Sequence, residues 1–565
     1  MLKQMTLSIL VLTLIGGLSL GGTAVQYRGP EGANPYAIAP PTVDGPIGVE
    51  RLASRGREIE GVSRWEFWWE MNRDRFLRRA AGRNEAALTG PGTFFAVSDR
   101  GPEWIGESDI RLRVVRALLS RLDSRDPEER ARAAIALGKT RVSAAFGPLK
   151  EMLDDGTRSD RRAAALALGL LGEPVAAAEL ARFAGRPGVA PSDRAHAVLG
   201  LGLLGAPEGV PVLEKLLKES LSHRGRGITD FQAATATALG LLGQKSSADL
   251  LARVAGSRRG VDSDVRAAAL VALGRINADG VVKVLARGLE DGAADVRRAA
   301  AGALGVTGRA DARAHLLKAY REDPDVSVRS LAGMSMARIG GPNVGNALLG
   351  GLHRTNPRAL RGFSALALGV LGDRRFAPKL RGLATAKDEK SLAGAAAVGL
   401  GILGDAGAVP YLRRVARDES KDPDLRGYAT LALAMLGDRS TLRLLPARLG
   451  ASNDADLRRS AALSLGLAGH MPSGPAILRT LFTEADGAVR GAVINSLSLL
   501  PRRAVLGTLV DVATGTGFSA DRRIDAITAL GSLASRGRPS PFEAMLDGVN
   551  YRSLTASLGH AVRQF

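Results

Sequence analysis

Residues 264–276 read Asp264-Val265-Arg266-Ala267-Ala268-Ala269-Leu270-Val271-Ala272-Leu273-Gly274-Arg275-Ile276. Asp264 suits a helix start, because a short carboxylate accepts from the free N–H groups of the first turn. Ala269, Ala272 and Leu273 recur at helical spacing and make one apolar face, and Gly274 helps to end the run. The phrase returns along the chain. With its closing small residue as an anchor, thirteen anchors follow one another: Gly138, Gly169, Gly202, Gly240, Gly274, Gly305, Ala337, Gly369, Gly401, Ala434, Gly466, Ser498 and Gly531. Every interval but one lies between 31 and 34 residues; the exception, Gly202 to Gly240, is 38. Such a period marks a repeat architecture.

Other columns move with the anchor. The residue before it is leucine twelve times and Met336 once. Eleven residues after it stands Leu149, Leu180, Leu213, Leu251, Leu285, Leu316, Leu348, Leu380, Leu412, Leu445, Ile477, Leu509 or Phe542. Pro211, Pro378, Pro410 and Pro475 sit nine residues after their anchors. A proline there suits the first turn of a second helix, where a missing N–H costs nothing. Each unit therefore reads as helix A, a turn and helix B. In one helix B, Val409, Leu412 and Ala416 share a face, while Arg413, Arg414 and Arg417 point elsewhere. Neither helix buries its stripe alone, so neighbouring pairs must stack. The expectation is an all-α solenoid of about thirteen helical hairpins over 126–535. Helical caps are expected at 51–125 and 536–565. Stacked end to end at about 10 Å each, the units would span roughly 110–130 Å, with the B helices on the concave face.

Composition agrees. Apolar residues make up 45% of the 565, aromatics only 4%, and 69 glycines help to fill a core of small side chains. Cysteine is absent, which removes disulfides, thiolate metal sites and cysteine nucleophiles.

The phrases "DVRAAALVALGRI" (264–276) and "DLRRSAALSLGLAG" (456–469) resemble HEAT repeats of the short, bilin-lyase-like kind. Arginine stands eight residues before the anchor in eleven units, from Arg130, Arg161 and Arg194 to Arg458, Arg490 and Arg523. HEAT repeats are similar in carrying an Asp/Arg ladder between units. The column is thus expected to reach carboxylates of the next repeat, such as Asp295 or Asp456, in preference to a ligand. "QYRGP", the Trp helix described below and the closing "NYRSLTASL" (550–558) resemble a family of exported bacterial HEAT-repeat proteins. That likeness implies location and layout, and no reaction.

The chain opens MLKQMTLSILVLTLIGGLSLGGTAVQYR, with no charge between Lys3 and Arg28 and small residues at Gly22-Thr23-Ala24. Residues 1–24 read as an export signal, or as an uncleaved membrane anchor, since the run is long enough to span a bilayer. Either places the remainder outside the cytoplasm, in the periplasm, at the cell surface or beyond. Residues 25–50 carry Pro30, Pro35, Pro40, Pro41 and Pro46 and read as an extended tether.

The formal charge is +20, and 126–565 alone carry 60 basic and 43 acidic side chains. That raises a polyanion as partner, although the expected location weighs against specific DNA binding. Two local features stand out. "WEFWWEMNRDRF" (65–76) places Trp65, Trp68, Trp69, Asn72 and Phe76 on one helical face. It is expected to cover the hydrophobic end of the first repeat, Asn72 anchoring a backbone group; a stacking site is the alternative. The long interval holds "SLSHRGRGITD" (220–230), a cationic loop with His223, Arg224 and Arg226. With Arg413, Arg414 and Arg417, these are the candidate binding residues.

Catalysis finds no motif. The six histidines are scattered, with no HExxH, and no Walker loop, nucleophile elbow or EF-hand is present. No catalytic residue, metal ligand or cofactor is expected. The reading is an exported scaffold for protein–protein interaction and not an enzyme. The alternative is a basic solenoid that binds an anionic glycan, lipid headgroup or nucleic acid, and a lyase-like enzyme ranks third.

Overall fold

The computed structural model describes residues 65–89, 105–385, 389–469, 473–500, 503–535 and 555–564. The export segment, the proline-rich tether and Phe542 lie outside the described residues, as does most of the closing segment 536–565. Every regular element among the described residues is helical.

Helix α1 is Trp65–Thr89. Helix α2, residues 107–119, runs through a turn Glu107–Asp109, a π-type segment Ile110–Val114 and a turn Val115–Leu119. The repeats then alternate. The A helices are α3 Pro127–Thr140, α5 Arg158–Leu171, α7 Pro191–Leu204, α9 Arg226–Leu242, α11 Ser263–Ile276, α13 Ala294–Thr307 and α15 Val326–Ile339. They continue as α17 Arg358–Leu371, α19 Lys390–Leu403, α21 Pro423–Met435, α23 Ala455–Leu467, α25 Gly487–Leu499 and α27 Ala520–Ala534. Between them stand the B helices: α4 Phe146–Asp155, α6 Ala176–Gly185, α8 Gly209–Ser220, α10 Ala248–Gly256, α12 Val281–Gly288 and α14 Ala312–Glu322. The later B helices are α16 Val344–Gly351, α18 Ala377–Ala384, α20 Val409–Arg417, α22 Leu445–Ala451, α24 Gly474–Thr483 and α26 Arg503–Thr514. The chain closes with α28, Ala556–Gln564.

The expected all-α solenoid is present, and its columns are its core. Leu149, Leu285, Leu412 and Ile477 are fully buried, as are Leu137, Leu304 and Leu530 before their anchors. The anchor has a different job from the one expected. Helix α11 continues past Gly274 to Ile276 and ends at Asn277, whose φ of 49° is left-handed. Its cap is Asp262, which accepts from the Asp264 N–H, so Asp264 lies inside the first turn. What Gly274 supplies is proximity: a Cβ there would lie 2.8 Å from the carbonyl oxygen of Ala303 on the next A helix. Successive A helices touch backbone to backbone because anchors and facing positions are small.

That closeness on one layer only sets the curvature. Neighbouring A helices pack at about 8–9 Å while the B helices touch one another far less, so the array bends towards the A layer. The array closes. A Cβ on Gly531 of α27 would lie 2.8 Å from the Cβ of Ala136 on α3, the same contact made inside the chain. Arg523 Nε donates to Glu129 Oε1 at 2.6 Å, and Arg503 Nε to Asp109 Oδ2 at 2.9 Å. Helix α2 packs beside α26 as the B helix that α27 lacks among the described residues. The ring thus begins at Glu107, inside the segment expected to be an N-terminal cap.

Two further expectations are corrected. The A helices, not the B helices, form the concave face, because the more tightly packed layer must be the inner one. The estimated 110–130 Å becomes the inner circumference of a ring, about 25–30 Å across inside once helix thickness is removed.

Candidate functional site: the inner face of the ring

The ladder is the first feature of the site. Arg130 bonds Asp160 through Nε and Nη2, both at 3.0 Å, and Arg297 bonds Asp323 at 2.8 and 3.1 Å. Arg266 reaches Asp291 at 3.1 Å, Arg458 reaches Glu484 at 2.6 and 3.0 Å, and Arg361 pairs with Glu389. Arg523 makes the same step across the seam to Glu129. The expected carboxylates are not the partners: Asp456 pairs with Arg459 of its own helix at 2.8 Å, and Asp295 with Arg298. In these units the arginine reaches instead an acid at or near the start of the next A helix, whereas Arg194 and Arg329 of the same column donate to the Ala184 and Tyr320 carbonyls of the preceding B helix. Much of the positive charge is therefore structural.

Helix α1 lies on the inner face, across α17, α19, α21 and α23. It does not cover the first repeat, because the closed ring leaves no exposed end there. Trp65, Trp68, Trp69, Asn72 and Phe76 are all buried. The Trp65 ring rests on two glycines: a Cβ on Gly362 would come within 2.5 Å of Trp65 Cδ1, and one on Gly394 within 3.3 Å of Cζ2. Tyr428 forms the wall, its ring centroid 4.9 Å away. Trp65 Nε1 donates to Ser391 Oγ at 2.9 Å, and Ser391 Oγ donates to Glu66 Oε1 at 2.6 Å. Arg459 stands 3.7 Å from Glu70. Asn72 Nδ2 donates to the Trp68 carbonyl at 2.8 Å, a backbone group of its own helix. The aromatic face is consumed inside the molecule. The sequence carries a signal for the seat: Gly362 and Gly394 each stand seven residues before an anchor in consecutive units.

Helix α28 occupies a second place, on α7 and α9. The Ser557 N–H donates to Asp230 Oδ1 at 2.9 Å, and its hydroxyl bonds the other carboxylate oxygen. His560 Nδ1 lies 3.0 Å from His196 Nε2, while His196 Nδ1 lies 2.8 Å from the Ser192 carbonyl. Burial, then the His560 ring and Arg162, push His196 well below the usual imidazole range. No sequence pattern links residues 364 positions apart.

The remaining candidates lie elsewhere. Arg413 spans to Asp438 at 2.6 and 3.1 Å, a second ladder step on the outer layer, while Arg414 and Arg417 are exposed there. The long interval is mostly helix: α9 has 17 residues where α11 has 14, so Arg226 and Gly227 are helical and the loop shrinks to 221–225. His223 and Arg224 are exposed, and Arg224 Nη1 donates to the carbonyls of Leu221 and His223 at 2.7 and 3.0 Å. Outer helices set farther apart leave grooves. One, of about 380 Å³ between α12 and α14, is lined by Lys283, Arg287, Arg309 and His315 with Glu290 and Asp311. Among the described residues no three metal-ligating side chains cluster, and no helix is long and apolar enough to cross a membrane.

Comparison with known proteins gives the family. The family described as HEAT repeats matches 115–190 and, in overlapping segments, 224–466, together more than half of the chain. The family described as PBS lyase HEAT-like repeat matches 193–219. No curated protein matches. Among solved structures, the complex of CpcE and CpcF of phycocyanin lyase from Nostoc sp. PCC7120 is 20% identical, covering 45% of this chain and 94% of that one, with a TM-score of 0.31. Human deoxyhypusine hydroxylase is 18% identical, covering 46% and 96%, with a TM-score of 0.22. Kap121p bound to Nup53p is 14% identical, covering 74% and 51%, with a TM-score of 0.34. At these scores the likeness carries no argument about function. Repeats of this kind build helical scaffolds for protein interaction. With its matched repeats and its closed circle of stacked hairpins, this chain belongs to the HEAT-repeat family.

Proposed function

We propose that this protein is an exported, non-catalytic scaffold that receives helical segments of a protein partner on the inner face of its ring. One observation carries the reading. The inner face already holds two helices of its own chain through specific side-chain contacts, Trp65 on a glycine floor and Ser557 on Asp230. A surface that positions amphipathic helices by pocket, hydroxyl and charge suits helix-in-groove recognition. Between those two places, on α11, α13 and α15, no other described helix lies across the inner face. Export rests on the uncharged run of residues 4–27, and the non-catalytic reading on the missing motifs.

The test places a photo-crosslinker at Ala268, on α11, and separately at Arg414, on the outer layer. Crosslinks from Ala268 should map to a helical segment of one protein, whose purified form then binds the ring. Crosslinks confined to Arg414, or no discrete partner under mild conditions, overturn the proposal. N-terminal sequencing of the mature chain checks export and cleavage.

Polyanion binding is the second reading, favoured by where the exposed cations lie. His223 and Arg224 share an edge with Arg258 and Arg259, since Arg224 Nη2 would lie 2.9 Å from a Cβ on Gly260. Arg414, Arg417 and the α12–α14 groove are on the outer layer. Heparin or DNA retention that falls steeply with salt supports it, and negligible retention at low salt ends it.

A further inference from the structure

We propose that α28 is an acid-released cover over the inner face of α7 and α9, held in place by the His196–His560 imidazole pair. The geometry sets the proton arrangement. His196 Nδ1 faces the Ser192 carbonyl at 2.8 Å, so it carries a hydrogen and leaves Nε2 as an acceptor. His560 Nδ1, at 3.0 Å, donates to it. One added proton leaves the bond in place, between an imidazolium donor and the other ring's free nitrogen; two put N–H groups face to face between like charges, and the bond is lost. The surroundings oppose even the first. Arg158 and Arg162 of α5 face the pair, both held by Asp193 of α7 at 2.9 and 2.6 Å. Arg194 of α7 turns away, its guanidinium 4.6 Å over the Phe231 ring. The nearby carboxylate, Asp230 of α9, accepts from Ser557.

Released, α28 takes His560 into water and leaves the His196 ring uncovered on α7, and a hydrated imidazole titrates near 6.5. The docked state holds His196 below that value, so this contribution to docking is full above about pH 6.5 and is lost as the pH falls. Release takes up one or two protons, so each unit below about pH 6 raises the released fraction roughly 10- to 100-fold. Leu558 and Ala561, both buried, leave with the helix and uncover the apolar seat beneath. That seat is the same class of surface proposed for a partner helix, but the release itself does not depend on a partner.

Hydrogen exchange of the full chain between pH 7.5 and 5.0, corrected for intrinsic rates, tests this. Peptides covering 555–564 and the facing parts of α7 and α9 should lose protection in acid, while α1, which has no histidine, keeps it. In His560→Gln the pH dependence should weaken to what His196 alone contributes, and in His196→Gln/His560→Gln it should vanish, whether α28 stays docked at both pH values or is free at both. Unchanged protection of 555–564 at pH 5.0 overturns the proposal. So does loss of α1 together with α28, which would signal general unfolding, or a wild-type pH response in His560→Gln. Ser557→Ala should loosen α28 at every pH and keep its response to acid; a response lost with Ser557 alone counts against the imidazole pair.

Discussion

The seam between α27 and α3 has no covalent link beneath it, so it is where the ring can be opened by design. A Cβ on Gly531 would stand 2.8 Å from that of Ala136, whereas apolar carbons rest at about 3.5–4 Å. Gly531→Leu must therefore push the helices apart by about 1 Å or more, an overpacking cost of about 1–3 kcal/mol. Arg523→Ala removes the partner of Glu129, a carboxylate with 1% of its side chain exposed, retaining only Ser124 Oγ at 2.7 Å and Arg121 at 3.8 Å. Stranding a buried charge costs about 3–5 kcal/mol, here reduced by those two neighbours to about 2–3. Together the changes withdraw about 3–6 kcal/mol from one joint, enough to move it from closed to mostly open. The chain has no cysteine, so spin labels at Arg111→Cys and Asp511→Cys, exposed on α2 and α26, report the seam alone. The wild type should give one short distance, of the order of neighbouring outer helices at about 13 Å plus the label arms. The double variant should give a long, broad distribution while its helicity persists. Gly274→Leu is the control: a Cβ there meets Ala303 at 2.9 Å, yet chain continuity keeps the ends together, so the label distance should not change. A short distance in the folded double variant, or a long one in the wild type, refutes closure by this seam.

Trp65→Ala removes the side chain seated on Gly362 and Gly394, a loss of about 3–5 kcal/mol that should lower exchange protection of α1 at least 100-fold. Gly394→Leu should free the same helix from the other side, since a Cβ there already lies 2.8 Å from Tyr428 Cδ2. Burial, aided by Arg132, pushes Lys139 at the seam down to about 8. Its penalty is full below pH 8 and fades as pH rises towards 10.5, so Lys139→Met should raise stability by about 2–3 kcal/mol at pH 7 and by little at pH 10 in urea titrations. Arg458→Ala breaks a pair with side chains 16% and 8% exposed and should cost about 3 kcal/mol. Arg413→Ala, from a side chain 42% exposed, should cost less than about 1 kcal/mol, and equal losses would contradict this account of the ladder.

Much of the fold was legible because it is local. The columns around Leu285, Leu348 and Leu412 depend only on helical period and on neighbours about 33 residues away, and all three side chains are fully buried. The ladder was legible in its arginines but not in its partners, because the acid sits in loops and helix starts whose length varies from unit to unit. The inner site was harder. The Trp65–Phe76 stripe announced a buried face, but its receptor lies some 300 residues on in sequence, marked only by glycines at 362 and 394. The His196–His560 contact left no trace at all.

Sequence by itself determined the unit: which residues are helical, which face each helix buries, and that small side chains let every A helix touch the next. Only the tertiary structure decided that thirteen such turns add up to a full circle. A few degrees of rotation per joint, too small to leave a mark in any one repeat, accumulate around the array until Gly531 meets Ala136. Once the circle is closed, no open end is left to cap, and the first and last described helices pack against the inner wall.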